Sequence, residues 1–363
     1  MRTNIFLLLL AFLSLYACQK EIKISNEDPH IKNTQVASAL SKNSSNALEL
    51  SNYSFLGQDD FNGVTLDTTI WNYRAENTLR GFASILRSNV SLSGDGILRL
   101  EAKRSGDTFS ASQVSTENTF LLKYGYFECR AKVNTTVGPH CSFWLQSPTY
   151  GATNNPSIDG VEIDIFEYHQ AFGFDNLYHN LHWNGYGASH QTLGVQETIP
   201  GISNGFHVFG LEWTPREYIV YVDGIEKART STAVSHRSEF IILSMEITGY
   251  GGNRYAGIYP DIFEVDYVKV YQRKPEVTLY QDCEYGGWVS QGLDIGSYTT
   301  SQLESMGIFN DDASSIEVSP GLKVTLFSND NFTGTSITIT SDKICLVNDN
   351  FNDLVSSLIV SLN

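Results

Sequence analysis

Residues 126–133 alternate without a break: Tyr126, Glu128, Arg130 and Lys132 stand between Phe127, Cys129, Ala131 and Val133. Successive side chains of a β-strand point to opposite faces, so this pattern predicts a strand with one polar and one core face. A helix has no use for it, because helical apolar positions recur every three or four residues. The alternation returns at 140–145, where Cys141, Phe143 and Leu145 oppose His140, Ser142 and Trp144, and again at 178–184 and 240–247. Asp223-Gly224, set between Tyr221-Val222 and Ile225, signals a tight hairpin. No long amphipathic helical pattern stands out, and 29 Gly with 19 Tyr and 20 Phe suit a turn-rich chain. The fold class that follows is all-β, a two-sheet sandwich.

One stretch departs from simple alternation. In Glu162-Ile163-Asp164-Ile165-Phe166-Glu167, Glu162 and Asp164 share a face, and Glu167, three residues past Asp164, should face the core. One extra residue at Phe166, a β-bulge, would return Glu167 to the carboxylate face, and bulges are frequent beside active sites. Three carboxylates in one groove cannot all ionise freely, so a pKa should rise. A double-displacement glycosidase needs such an arrangement: one carboxylate as nucleophile, another kept protonated as acid and later base. The two Glu Cα atoms would lie roughly 13 Å apart, so their side chains must lean inward to reach the roughly 5–5.5 Å of a retaining pair. A solvated acidic face or a calcium cluster is the other use of this composition.

Other positions on the polar faces are candidates for binding sugar. Trp144 is expected in the groove, where a flat ring can stack on a pyranose. Asn180 and His182 share its side, with His182 expected within reach of Glu167; Glu246, opposite Leu243 and Met245, could bind hydroxyls at one end. A formal charge of −16, with 40 acidic against 24 basic residues, argues against a nucleic-acid partner.

The carboxylate stretch resembles the E-x-D-x-x-E strand of glycoside hydrolase family 16, in the bulged version of laminarinases, agarases and carrageenases. Tyr124-Gly125-Tyr126-Phe127-Glu128-Cys129-Arg130-Ala131-Lys132, Phe143-Trp144-Leu145, Glu212-Trp213-Thr214, Val222-Asp223-Gly224 and Val265-Asp266-Tyr267 resemble further blocks of that family in order. The resemblance implies a jelly roll with a concave catalytic cleft over residues 51–273, Glu162 as nucleophile, Glu167 as acid/base and Asp164 as the partner tuning them. It implies no cofactor for catalysis, and a structural cation near Asp266. The implied substrate is a β-1,3- or mixed β-1,3/1,4-glucan, with a β-galactan (agarose, carrageenan or host-glycan type) as the alternative. A polysaccharide-binding surface protein without activity is the rival outside the enzymes. Two features depart from the family: Ser147–Asp159 lacks a Trp-Pro approach, and Gln146 stands where Met is frequent.

The flanks carry separate signals. Arg2, the apolar run from Ile5 to Leu15 and Leu15-Tyr16-Ala17-Cys18 read as a signal peptide over 1–17. Cys18 resembles a bacterial lipobox cysteine, which implies diacylation and a membrane partner through that anchor, on the bacterial cell envelope. Residues 18–50, rich in Ser, Asn and Lys, read as a flexible tether. Beyond Arg273-Lys274-Pro275, two motifs repeat: Asn310-Asp311-Asp312-Ala313-Ser314-Ser315 and Asn352-Asp353-Leu354-Val355-Ser356-Ser357. They resemble the doubled clamp of βγ-crystallin domains, implying a small Greek-key domain over 276–363 with structural calcium at Asn310, Asp311, Ser314, Asn352, Asp353 and Ser356. Turn capping is the alternative role of those side chains. Cys129, Cys141, Cys283 and Cys345 are an even number in a chain read as exported, which permits disulfides without assigning them. A monomer is expected.

Overall fold

The computed structural model describes residues 50–363. The expected signal peptide, Cys18 and nearly all of the tether lie outside them. Among the described residues no helix is long and apolar enough to cross a membrane.

The alternation resolves into two antiparallel layers. One is built on the long strand Asp261–Arg273, which pairs with Gly125–Lys132 along one edge and with Leu98–Ser105 and Tyr53–Asp59 along the other. His207–Trp213, Tyr218–Val222 and Ile225–Thr230 extend it beyond Gly125–Lys132. The second layer runs, in spatial order, Gln191–Thr198, Asn176–Trp183, Glu162–Tyr168, Pro139–Gln146, Phe240–Ile247 and Thr108–Ser115, with Asn72–Tyr73 at its edge. Apolar faces of both layers meet in one core that includes Phe127, Phe143, Ile163, Phe166, Phe209, Leu243 and Phe263. Phe166 sits 4.0 Å from Phe209 and 5.9 Å from Phe263, centroid to centroid. Burying each such ring is worth about 1.5–3 kcal/mol, so the core fixes strand register as well as stability. Cys129 and Cys141 are free and buried in it. Burial pushes both thiols well above their ordinary range, so they serve as small apolar side chains.

Residues from Val277 to Val360 form a second core. Val277–Tyr280 pairs with Ser315–Val318, while Gly296–Tyr298, Ser357–Leu362, Leu322–Asn329 and Thr333–Ile339 make a four-stranded sheet in that order. The two halves interlock. Gly296–Tyr298 from the first half joins the sheet of the second, and Lys343 from the second bridges Ile316 of the first. Cys283 and Cys345 form a disulfide between the halves.

The junction between the two cores is polar. Glu317 is buried and accepts from Lys123 Nζ at 2.7 Å, from the Tyr124 hydroxyl at 2.6 Å, from the Tyr280 hydroxyl and from the His236 ring, 3.2 Å away. Burial alone would raise its pKa, but the charges and hydrogen bonds of His236 and Lys123 outweigh it and hold the carboxyl at about 2.

Candidate active site

The carboxylate strand is approached through a braced turn. A single helical turn, Pro156–Asp159, starts at Asn155, whose side chain accepts from the Ser157 N–H at 3.1 Å, and Pro156 suits the first helical position. Asp159 turns back to accept from the Thr153 N–H at 2.6 Å and its hydroxyl at 2.8 Å. Gly160 then takes φ +84°, and a Cβ there would lie 2.2 Å from Ser147 Cβ, so both conformation and space require glycine. Val161 N–H is held by buried Glu239 at 2.9 Å, and the strand Glu162–Tyr168 begins.

Its register breaks where the carboxylate spacing demands. Against Pro139–Gln146, Asp164 pairs with Trp144 and Phe166 with Phe143; against Asn176–Trp183, Asp164 pairs with Asn180 and Glu167 with Tyr178. Two consecutive residues, Ile165 and Phe166, therefore both enter the core, and Glu167 returns to the face of Glu162 and Asp164. Burying Ile165 and Phe166 together offsets the unpaired backbone that a bulge leaves.

Glu162 and Asp164 are buried, Glu167 is half-buried, and the three carboxylates are charge-coupled. Burial, then the Asp164 charge, raises Glu162 to about 7, against opposing effects from His182 and the Tyr186 hydroxyl. Asp164 rises to about 8 through burial and Glu246. Glu167 is pushed well above the carboxylate range by burial, then by Asp164, with Asn180 opposing. The environment thus favours one ionised carboxylate at Glu162, where donors gather, and a proton on Glu167.

The predicted binding residues occupy this face in different ways. Asn180 donates to Glu167 Oε2 at 2.6 Å. His182 lies opposite Glu162, with Nε2 3.4 Å from Asp164 Oδ2 and Nδ1 3.0 Å from His190 Nε2. The expected reach from His182 to the acid/base is therefore corrected: Asn180, two residues earlier, takes that place. Burial lowers the His182 pKa, which favours a neutral ring. Trp144 is on the cleft side, opposite Asp164, but is only 5% exposed; its indole N–H donates to Ser244 at 3.1 Å and the Arg74 guanidinium covers it at 5.2 Å. A cation thus occupies a ring face expected to be open to sugar. Glu246 is buried and accepts from Gln113 at 2.6 Å and Arg80 at 3.4 Å. Asp266 lies on the other layer, in an ion pair with Arg130, so an internal cation supplies its counter-charge.

Sequence reasoning missed three contributors. Gln146 donates to Glu162 Oε2 at 2.7 Å, and the alternation His140, Ser142, Trp144 already pointed to it. Tyr186 reaches the same oxygen from a loop, its ring 5.0 Å from Tyr150, and nothing in the local pattern announces it. Arg74 enters from beyond the sheet edge, which only the fold reveals.

The repeated motifs of the second domain come together reciprocally. Ser356 donates to Asp311 at 2.9 Å and Ser314 to Asp353 at 3.1 Å, so each motif's Asp meets the other motif's Ser. Both Asp residues have φ +53°. Asn310 and Asn352 each donate to the adjacent Asp side chain, and Asn352 Oδ1 is a buried acceptor with no donor. An oxygen-rich set with an unmet acceptor fits a hard cation.

Comparison with known proteins places this site. The family model "Glycosyl hydrolases family 16" matches residues 80–256. A β-glucanase of Rhodothermus marinus is 29% identical over 205 residues, covering 49% of this chain and 69% of its own length. Glucan endo-1,3-beta-glucosidase A1 of Niallia circulans is 26% identical, covering 60% of this chain, which spans only 37% of that protein. A kappa-carrageenase of Pseudoalteromonas carrageenovora is 26% identical, with 59% of this chain and 62% of that one covered. Among solved structures, the catalytic domain of a Thermotoga petrophila laminarinase superposes with a TM-score of 0.53 at 25% identity, covering 61% of this chain and 98% of its own. Because the match runs through the bulged carboxylate strand and the layers that carry it, residues 80–256 of this chain belong to glycosyl hydrolases family 16.

Proposed function

We propose that this chain is a retaining endo-glycosidase that hydrolyses internal bonds of a β-1,3- or mixed β-1,3/1,4-glucan. The observation that carries the reading is the bulge at Ile165 and Phe166, which sets Glu162, Asp164 and Glu167 on one face. Glu162 attacks the anomeric carbon as the bond to the leaving oxygen breaks, and Glu167 gives that oxygen its proton. Glu167, now a carboxylate, takes a proton from water, whose oxygen displaces Glu162 from the sugar. Asp164 shares the charge of the pair, and Asn180 holds Glu167 in place.

The names of the β-glucanase and glucosidase relatives support a glucan. A β-galactan remains the second reading, because the carrageenase is about as similar and Arg74 and Arg80 reach the cleft sheet. Product release by residues 50–363 from laminarin, lichenan, agarose, carrageenan and mucin, beside Glu162→Gln, tests both. Oligosaccharides from laminarin or lichenan, absent with the variant, are expected; release from agarose or carrageenan alone selects the galactan. Tight binding with no turnover on any polymer favours a carbohydrate-binding protein instead.

The second domain is read as a βγ-crystallin-like calcium module. Asp311 with Ser356 and Asp353 with Ser314 would hold the ions, which would supply charge neutralisation and cross-link the two halves. Attachment to a bacterial envelope through acylated Cys18 completes the proposal and rests on the lipobox resemblance.

A further inference from the structure

We propose that Arg74 and Gln146 are positioning residues for the nucleophile: Arg74 fixes the amide of Gln146 so that its NH₂ faces Glu162 and keeps that carboxylate ready to attack. The inference rests on Glu162 being the nucleophile and adds residues that the carboxylate motif does not contain.

The argument starts from donor and acceptor types. A guanidinium only donates, whereas a glutamine amide offers one acceptor and one donor group. Arg74 Nη2 lies 3.2 Å from the Gln146 side-chain oxygen, which leaves the Gln146 NH₂ 2.7 Å from Glu162 Oε2 and 3.0 Å from the Tyr186 hydroxyl. Tyr186 accepts from that amide and donates to the same Glu162 oxygen. On the other side, Arg74 Nη1 donates to Gln113 at 3.0 Å, and the Gln113 NH₂ donates to Glu246 at 2.6 Å. One cation thus orients two amides by the same rule, and each amide presents its NH₂ to a buried carboxylate. Arg74 itself is held over Trp144 and 3.9 Å from Glu117. If either glutamine flipped, its oxygen would face a carboxylate and its NH₂ a guanidinium, an arrangement that loses both contacts.

Glu162 needs such help. Asp164 on its own strand and Glu246 across the sheet work against its ionisation, while Glu239 near the strand's start is itself raised by burial and by Glu162, and Tyr150 stands in the adjoining turn; His182 and Tyr186 are the opposing neighbours, and His182 is itself pushed toward neutrality by burial. The Gln146 NH₂ is a donor that cannot titrate, so its contribution persists at every pH.

The test is the pH dependence of kcat/KM for Gln146→Met, Arg74→Met and the double variant on whichever of the five polymers is cleaved, with melting temperatures measured alongside. Removing a donor from an ionised carboxylate raises its pKa, so Gln146→Met should move the acid limb up by on the order of one pH unit. Arg74→Met should move it the same way, and the double variant no further than Gln146→Met alone, because Arg74 acts through that amide. Should Arg74→Met fail to fold, Arg74→Lys serves: a point charge cannot orient both amides, so the limb should still rise. An unmoved acid limb with only KM or uniform kcat losses overturns the proposal, and so do additive shifts. Glu162→Gln in the same assay separates the two levels. If it is inactive while the acid limbs stay put, only the positioning role fails; if it keeps turnover, or the unsubstituted chain has none, the nucleophile assignment fails and the positioning role falls with it.

Discussion

Glu162 and Glu167 are both glutamates on one strand, yet their surroundings assign them opposite protonation states. Donors converge on Glu162, while burial and Asp164 hold the proton on Glu167. On the proposed mechanism the reactive form has Glu162 ionised and Glu167 protonated, so the sign of the pH profile follows. Activity should rise as pH climbs through the Glu162 value of about 7 and fall only as Glu167 loses its proton at higher pH. A bell-shaped kcat/KM profile with its optimum on the neutral-to-alkaline side is expected; a maximum near pH 4 would contradict it. Glu167→Gln should lower kcat by about 10²–10⁴-fold and abolish the alkaline limb.

At the level of the strand, the catalytic geometry depends on neighbours that never touch substrate. Asn180 can lie against Glu167 because its partner in the next strand is Gly194, where a Cβ would stand 2.1 Å from Asn180 Oδ1. Gly194→Ala should therefore push the Asn180 amide from its place while the backbone ladder survives. A fall in kcat of about 10- to 100-fold is expected, the scale of a displacement near 1 Å, with little change in melting temperature. An unchanged kcat would show that Asn180 does not position the acid. The bulge works the same way: Ile165 and Phe166 anchor in the core so that Glu167 need not.

At the scale of the molecule, the two cores are joined through a buried charge. The Glu317 pKa is depressed from its ordinary value to about 2, so its contribution to stability is fully present above about pH 4.5 and is lost as pH falls toward 2. Glu317→Gln leaves Lys123 and His236 without their buried partner and should cost about 3–5 kcal/mol in denaturant unfolding at pH 7. At pH 2 the variant and the parent should converge. Removing residues 276–363 also uncovers this junction, so a truncated chain tests stability as well as function. In the second domain, calcium at about 100 times its Kd should stabilise by about 2.7 kcal/mol, seen as a rise in melting temperature that Asp311→Ala and Asp353→Ala together remove. No calcium-dependent shift in the parent would sink the metal reading.

The sequence by itself determined what is written in local periodicity. Alternation announced the strands, because a strand's two faces meet different solvents, and the spacing of Glu162, Asp164 and Glu167 required a bulge, because three is odd. Gln146 was legible too, two residues past Trp144 on the same face. Other contributors depend on contacts between residues distant in the chain. Arg74 lies 72 positions from Gln146, and Tyr186 reaches Glu162 from a loop without regular pattern. Alternation placed His182 on the correct face but not beside Asp164, because the register that sets His182 against Glu162 and Asn180 against Asp164 is a pairing between strands. The Cys283–Cys345 disulfide, and the two free thiols in the other core, were equally beyond local reading. Strand identity is a property of neighbours in sequence; charge state, partner and reach are properties of neighbours in space.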